Sequence, residues 1–250
     1  MTTRQAIINW CNQTLHIDQF KDYAPNGLQI EGRDNIKRII TAVTASQAAI
    51  NYAIEQQADM ILVHHGFFWK SEPTVITGWK KNRIASLINN NINMAGYHLP
   101  LDAHPTLGNN AQLAIKMNWQ HHASFGEQNL LNIGMLPENQ QTLPALLTQL
   151  EQRLDRKPIY VGTVSGSLKT VAWCTGGAQG YFQAAIEQGA QVYITGEISE
   201  AQYHLANETN TVFISAGHHA TERYGIQALG AALVAEFGVE HRFFDEANPA

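Results

Sequence analysis

Histidines and carboxylic acids are concentrated in three short stretches of this chain that lie far apart in the sequence. His64-His65 closes an apolar run, His98 precedes Asp102 by four residues, and His218 precedes Glu222 by four residues. Imidazole nitrogens and carboxylate oxygens are ligands that Zn, Fe, Mn, Ni and Co accept. Folding can bring such side chains together around two ions bridged by a carboxylate. The leading interpretation is therefore a metal-dependent hydrolase.

The adjacent histidines also have a simpler interpretation. Neighbouring side chains of a strand point to opposite faces, so one histidine can be a core residue and the other a rim residue. Both reach one centre only if the chain leaves extended geometry after Val63, and Gly66 would supply that freedom. The pair also follows a predicted parallel strand, where open α/β sheets bind their ligands.

The two acids have alternative roles as well. Pro100 is expected to keep residues 99–101 non-helical, so Asp102 can bridge two metals or cap a turn. Glu222 shares a helix face with His218, yet an acid also suits a helix N-terminus. The coincidence of all three stretches with predicted strand ends is what favours a metal site.

Two ions about 3.5–4 Å apart would lower the pKa of a bound water and polarise a carbonyl, C=N or phosphoryl group. The nucleophile would be a metal-bound hydroxide, so no Ser or Cys nucleophile is required. His98 and Glu222 are the predicted catalytic residues, and His98 and His104 are candidate proton shuttles or outer partners of Asp102. His219 is a candidate supporting residue, whereas His121-His122 is expected in a loop with a structural or surface role.

Short apolar runs alternate with amphipathic stretches, which is typical of α/β architecture. The patterns predict strands at 37–43, 59–63, 92–97, 130–136, 169–174, 191–195, 211–215 and 241–244. They predict helices from Ser46 onward and at 81–89, 110–117, 142–153, 181–187, 199–207 and 220–237.

Two segments of the chain resemble each other. Residues 53–58 parallel residues 185–190, each between a predicted helix and a buried strand, and the His98/Asp102 spacing repeats at His218 and Glu222. The echo favours duplicated three-layer α/β/α halves, at 1–124 and 125–250, with the site between them. Chance similarity is the alternative, because Ala, Glu and Gln are common in helices.

Glycines at 176–180 favour a tight turn over a phosphate loop.

Composition narrows the possible functions. The 250 residues carry a formal net charge of −5 without a block of Lys or Arg, so no extended nucleic-acid surface is expected. No run approaches the length of a membrane span, and the N-terminus lacks the apolar core of a signal peptide. Cys11 and Cys174 are too few for a disulfide scaffold and are expected to be buried. A cytoplasmic location is the prediction.

Four motifs resemble the Nif three-like family, whose bacterial members are commonly called GTP cyclohydrolase I type 2 homologues. They are residues 26–30, 63–69, 97–102 and 217–222, in the family's order and covering essentially the whole chain. The resemblance implies a duplicated α/β fold without an inserted domain, a two-metal site and a ring-shaped homohexamer. Carried over by motif, the metal ligands are His64, His65, Asp102, His218 and Glu222.

Three functional hypotheses remain open at this point. The first is a dinuclear hydrolase acting on a nucleotide or another small polar substrate, possibly like a GTP cyclohydrolase. The second is a metal-binding oligomeric scaffold or regulator without turnover. The third is metal storage or metal delivery, which predicts loosely held ions. Phe67, Phe68 and Trp69 could stack on a base beside the site or could be core and contact residues.

Overall fold

The architecture of the chain is mixed α/β, as a computed structural model of residues 2–250 establishes. The strands are β1 (Thr2–Thr3), β2 (Gly27–Ile30), β3 (Asn35–Ile36), β4 (Arg38–Thr44), β5 (Met60–His65), β6 (Asn93–Gly96), β7 (Gln120–Phe125), β8 (Leu131–Met135), β9 (Ile159–Val161), β10 (Thr170–Trp173), β11 (Val192–Thr195), β12 (Val212–Ser215) and β13 (Glu240–Phe244). The helices are α1 (Arg4–Thr14), α2 (Gln47–Glu55), α3 (Gly78–Asn89), α4 (Leu99–Ala103), α5 (Asn109–Met117), α6 (Leu143–Leu154), α7 (Phe182–Glu187), α8 (Glu200–Thr209) and α9 (His218–Phe237).

The described residues form two compact units. The first contains residues 2–108 and 225–247, and the second contains 109–224 and 248–250. The boundaries of compact units need not coincide with those of duplicated sequence segments. The predicted duplicated halves, 1–124 and 125–250, therefore stay a prediction. None of the helices in residues 2–250 combines the length and apolar character needed to cross a lipid bilayer.

The first unit is built on a five-stranded sheet in the order β13-β4-β5-β6-β2. The first four strands are parallel, and β2 pairs antiparallel with β6. Side chains alternate across this sheet, so Ile39 joins one apolar cluster and Ile40 joins another. Buried residues of α1 and of residues 226–233 of α9 cover one face, and those of α2 and α3 cover the other. This unit therefore has three layers.

The second unit has a six-stranded sheet in the order β7-β8-β10-β11-β12-β9. Its central strands β10, β11 and β12 are parallel, and the flanking pairs are antiparallel. Trp173 and Ile194 pack with α5 and α6, whereas Tyr193 and Phe213 pack against Phe182 of α7. Both faces are thus covered here as well.

The same order of elements recurs in the two units. In the first, β5 follows α2 and ends at His65, and β6 follows α3 and ends at Gly96, two residues before His98; in the second, β11 follows α7 and β12 follows α8. His98 is the N-cap residue of α4, and His218 is the first residue of α9. The recurrence agrees with the predicted duplication, because both histidines begin a helix directly after a parallel strand.

Several local predictions were wrong or incomplete. His121 and His122 lie in the exposed edge strand β7 instead of a loop, where β8 supplies the backbone hydrogen bonds that their polar side chains did not signal. Helix α1 was not predicted, although its buried Ile7, Ile8 and Cys11 have helical spacing. Strands β2 and β9 are only four and three residues long and gave no periodic signal.

Candidate metal centre

The adjacent histidines lie at the carboxyl end of β5 in the first unit. His64 is 1% exposed, and its Nδ1 donates to the carbonyl oxygen of Tyr97 at 2.9 Å. The Nδ1 atom of His65 lies 3.2 Å from Oγ1 of Thr44, its register partner on β4. The ring centroids are 4.5 Å apart. Because a carbonyl oxygen only accepts, Nδ1 of His64 carries the proton and Nε2 bears the lone pair in the neutral ring.

Gly66 has a different role from the predicted one. Strand β5 continues through His65, so the histidines approach each other without leaving the strand. A Cβ atom at Gly66 would overlap the side-chain amide of Gln29, whose Oε1 accepts a hydrogen bond from the Phe67 N–H at 2.7 Å. The absence of a side chain at Gly66 therefore allows Gln29 to pack against the end of the strand. Glycine is required here for this close approach, and not for an unusual backbone conformation.

Asp102 is positioned by a short helix that the sequence did not predict. Residues 99–103 form α4, with Pro100 in its first turn. Proline is tolerated there because the first N–H groups of a helix have no intrahelical acceptor. The expectation that Pro100 keeps this stretch non-helical was therefore wrong. The helix directs the buried carboxylate to His64, whose Nε2 lies 3.4 Å from Oδ1 of Asp102.

His98 lies beside this pair of histidines. Ligand atoms of His64, His65 and His98 lie within 4.8 Å of one another. The Nδ1 atom of His98 donates to Oδ1 of Asp22 at 2.7 Å. Burial disfavours the Asp22 carboxylate, but hydrogen bonding and attraction to His98, with further hydrogen bonds, lower its pKa to about 2. Neither the sequence motifs nor their spacing had indicated Asp22.

An aromatic ring flanks these histidines. Trp69 is partly exposed, and its ring centroid lies 4.8 Å from that of His98 and 5.9 Å from that of His65. The indole N–H donates to the carbonyl of Gly66 at 3.1 Å. Phe67, by contrast, is 2% exposed and belongs to the core, and the partly buried Phe68 packs against the same core. Of the three aromatic residues in the motif, Trp69 is therefore the one placed to meet a ligand.

The second unit supplies its own pair of candidate ligands at the start of α9. Nε2 of His218 lies 3.1 Å from Oε2 of Glu222, and Nδ1 lies 2.6 Å from Oε1 of Glu197. Burial disfavours the imidazolium, but hydrogen bonds and attraction from both carboxylates raise the pKa of His218 to about 9. The His218 ring would have to lose the proton on Nε2 in order to hold a divalent ion there, so metal binding would be coupled to proton release.

Glycines surround this pair. A Cβ atom at Gly176 would overlap the Glu222 carboxylate, and one at Gly196 would crowd the backbone of His218. Gly176 has φ +69°, and its N–H donates to Oγ1 of Thr221 at 3.0 Å. The glycine-rich segment 176–180 thus bends at its first two glycines and runs into a 3-10 helix at Gln179–Tyr181, and it makes room for a carboxylate.

The remaining predicted residues have structural surroundings. Nδ1 of His104 accepts from the N–H of Leu107 at 3.0 Å, and burial, together with the nearby His16, lowers the pKa of His104. His219 is buried. His121 lies 3.2 Å from Oγ of Ser124 on the exposed strand β7.

Each unit thus contributes nitrogen and oxygen donors that fit a divalent ion. His64, His65, His98 and His218 have Nδ1 engaged by a carbonyl, hydroxyl or carboxylate oxygen, and an outer partner of this kind is typical of metal-binding histidines. Sequence reasoning did not assign these partners. For Glu197 a signal existed, because residues 185–190 resemble residues 53–58, and Glu197 follows the strand after the first of these segments as His64 and His65 end the strand after the second. The chain is a layered α/β protein with histidine–carboxylate groups that could hold metal ions.

Comparison with known proteins agrees with this description. The family model for DUF34/NIF3 (NGG1p interacting factor 3) matches residues 2–249, and the chain belongs to that family. A Neisseria meningitidis serogroup A protein called GTP cyclohydrolase 1 type 2 homolog is 60% identical over 250 residues and is covered completely, as is this chain.

Solved structures resemble the fold over nearly all of the chain. One, described as protein ybgI of unknown function, has a TM-score of 0.96 at 43% identity and covers 99% of this chain and 100% of its own. The protein TTHA1606 from Thermus thermophilus has a TM-score of 0.89 at 30% identity, with 99% and 100% covered.

Proposed function

We propose that the protein is a dinuclear metal-dependent hydrolase. The observation that carries the proposal is the engagement of Nδ1 in His64, His65 and His218, because it leaves Nε2 of the neutral ring as the metal-binding atom. Buried carboxylates accompany the imidazoles at Asp102 and Glu222.

The proposed ligands would hold two ions. The motif match assigns His64, His65, Asp102, His218 and Glu222 to them. Zn, Fe, Mn, Ni and Co all accept such ligands, so the donor set leaves the metal open. When bound, two such ions would acidify a water molecule and polarise the substrate.

The chain's own residues would bind the substrate and handle its protons. His98 lies beside the ligand histidines, with Nδ1 held by Asp22, so Nε2 is available to accept or donate a proton. Glu222 is buried next to His218 and would provide a carboxylate as a second group for proton transfer.

A nucleotide is the substrate class we favour. The curated relatives carry the name GTP cyclohydrolase 1 type 2 homolog, and Trp69 offers a partly exposed ring beside His98 on which a base could stack. We further propose a cytoplasmic homohexamer, since the family resemblance implies the ring and the chain has only two cysteines, both of them buried.

A scaffold or regulatory role is the second candidate. Exposed apolar side chains follow the histidine motif at Val75, Ile76 and Trp79, and such residues commonly mark protein contacts. The description of the family as an interacting factor also supports a scaffold or regulatory role.

Turnover distinguishes the two candidates. Protein reconstituted with each metal is incubated with GTP and other nucleotides, and ring-opened or dephosphorylated products are separated by chromatography. Metal-dependent product that disappears in Glu222→Gln supports the hydrolase. Partner binding by the metal-free protein, without product in any reconstituted form, would instead support the scaffold.

A further inference from the structure

His98 and Leu99 are held by three hydrogen bonds from one segment of the first unit. Its Nδ1 lies 2.7 Å from Oδ1 of Asp22, and its backbone N–H donates to Oδ1 of Asn26 at 2.8 Å. Oδ2 of Asp22 accepts from the N–H of Leu99 at 2.9 Å. Both the ring and the backbone of His98 are therefore fixed by side chains at positions 22 and 26.

Asp22 is surrounded by donors. Besides Leu99, the N–H of Tyr23 donates to Oδ1 at 2.6 Å, and Nδ2 of Asn26 donates to Oδ2 at 2.9 Å. The Asp22 side chain is only 4% exposed. Because these partners only donate, the group at position 22 must be an acceptor on both oxygens. The proton of the pair therefore belongs on Nδ1 of His98.

The segment is also tied to the loop that carries Trp69. The N–H of Lys70 donates to the carbonyl of Tyr23 at 2.8 Å, and its Nζ donates to the carbonyl of Asp22. Trp69 packs edge-on against His98. Movement of the segment would therefore disturb both the candidate proton carrier and the candidate stacking ring.

We propose that Asp22, steadied by Asn26, is a positioning residue that keeps His98 in the tautomer with Nδ1 protonated and Nε2 directed to the substrate. The role of Nε2 in proton transfer rests on the proposed function. The tautomer itself does not depend on turnover. Nothing in the metal-ligand motifs includes position 22.

The test is the tautomer of His98 in metal-free protein, measured by two-bond 1H–15N NMR at about pH 8, where an ordinary imidazole is neutral. The His98 ring signals are identified by their disappearance in the His98→Gln variant. We expect Nδ1–H in the unaltered protein and a shift to Nε2–H, or to a mixture, in Asp22→Asn. Asp59→Asn is the matched control, because Asp59 is a buried carboxylate that accepts two backbone N–H groups away from any histidine.

The outcomes separate the inference from the proposed function. Nε2–H in the unaltered protein would overturn the inference even if Asp22→Asn failed to fold, and so would an unchanged tautomer in folded Asp22→Asn. If hydrolysis is found, kcat should fall roughly 10- to 100-fold in Asp22→Asn with KM nearly unchanged. If His98 has the Nδ1–H tautomer but no hydrolysis is found, the positioning of His98 by Asp22 would be supported and the proposed hydrolase function would be contradicted.

Discussion

Nδ1 of His218 lies 2.6 Å from Oε1 of Glu197, an acid 21 positions earlier in the chain. The contact fixes the ring so that Nε2 faces Glu222, 3.1 Å away. A carboxylate behind a ligand histidine raises the basicity of the ring and fixes its orientation. Glu197 therefore belongs to the candidate metal centre without being one of its ligands.

Replacing Glu197 by Gln should weaken metal binding about 10- to 100-fold, because the ring loses its charged acceptor. The measurement is competition for Zn²⁺ with a chromophoric chelator. Glu200→Gln is the control, since Glu200 pairs with His204 at 2.7 Å on an exposed helix face. Equal affinities for the two variants would contradict the assigned role.

Gly176→Ala should displace the Glu222 carboxylate and reduce metal content. The same substitution at Gly166 tests backbone strain alone, because Gly166 has φ +84° and an added methyl group there would meet nothing within 4 Å. Both variants should lose about 1–2 kcal/mol from the positive φ. Only Gly176→Ala should also lose metal, as measured by elemental analysis. Metal loss in both variants, or in neither, would count against the contact with Glu222.

Asp22 should make stability depend on acid pH. Its pKa is about 2 in the folded protein against an ordinary 3.8, so its carboxylate is favoured by folding. The resulting stability, about 1–2 kcal/mol, is fully present above about pH 4 and is lost as pH falls towards 2.

Urea unfolding of Asp22→Asn and of the unaltered protein should therefore give a difference that becomes smaller as pH falls from about 4 towards 2. Asp18→Asn alters an exposed acid nearby and should give no such trend. A difference independent of pH throughout the acid range would contradict the lowered pKa of Asp22.

Trp69→Ala should weaken GTP binding to the zinc-reconstituted protein by about 1–3 kcal/mol, the usual effect of removing a stacked aromatic ring from a base. Isothermal titration measures it. Trp79→Ala provides the comparison, because that side chain is 56% exposed and lies outside the histidine cluster. Similar losses in both variants would refute base stacking at Trp69.

Much of the central fold was predictable from periodicity. The buried runs that became β4, β5, β11 and β12 are nearly continuous in apolar residues, and Ser46 does cap α2 through the N–H of Ala49. The exposed strand β7 was not predictable in this way, because its polar side chains carry no apolar alternation and its pairing with β8 is set by the tertiary fold.

The candidate ligands could be predicted because they lie at the end of a strand or in the helix that follows one, but their supporting contacts could not. Asp22 reaches His98 across 76 positions, and Gln29 reaches Gly66 across 37. Such contacts depend on how the strands pair, which one sequence does not encode as a local pattern. Pro100 misled the prediction for α4, since a proline both ends and begins helices.

The most direct test of the two-metal centre is the metal content per chain, measured by elemental analysis of purified protein and of His64→Ala, Asp102→Ala and Glu222→Gln. The account predicts nearly two ions per chain in the unaltered protein and a clear loss in each folded variant. A folded protein without metal after reconstitution, or a metal content unchanged by all three substitutions, would contradict it.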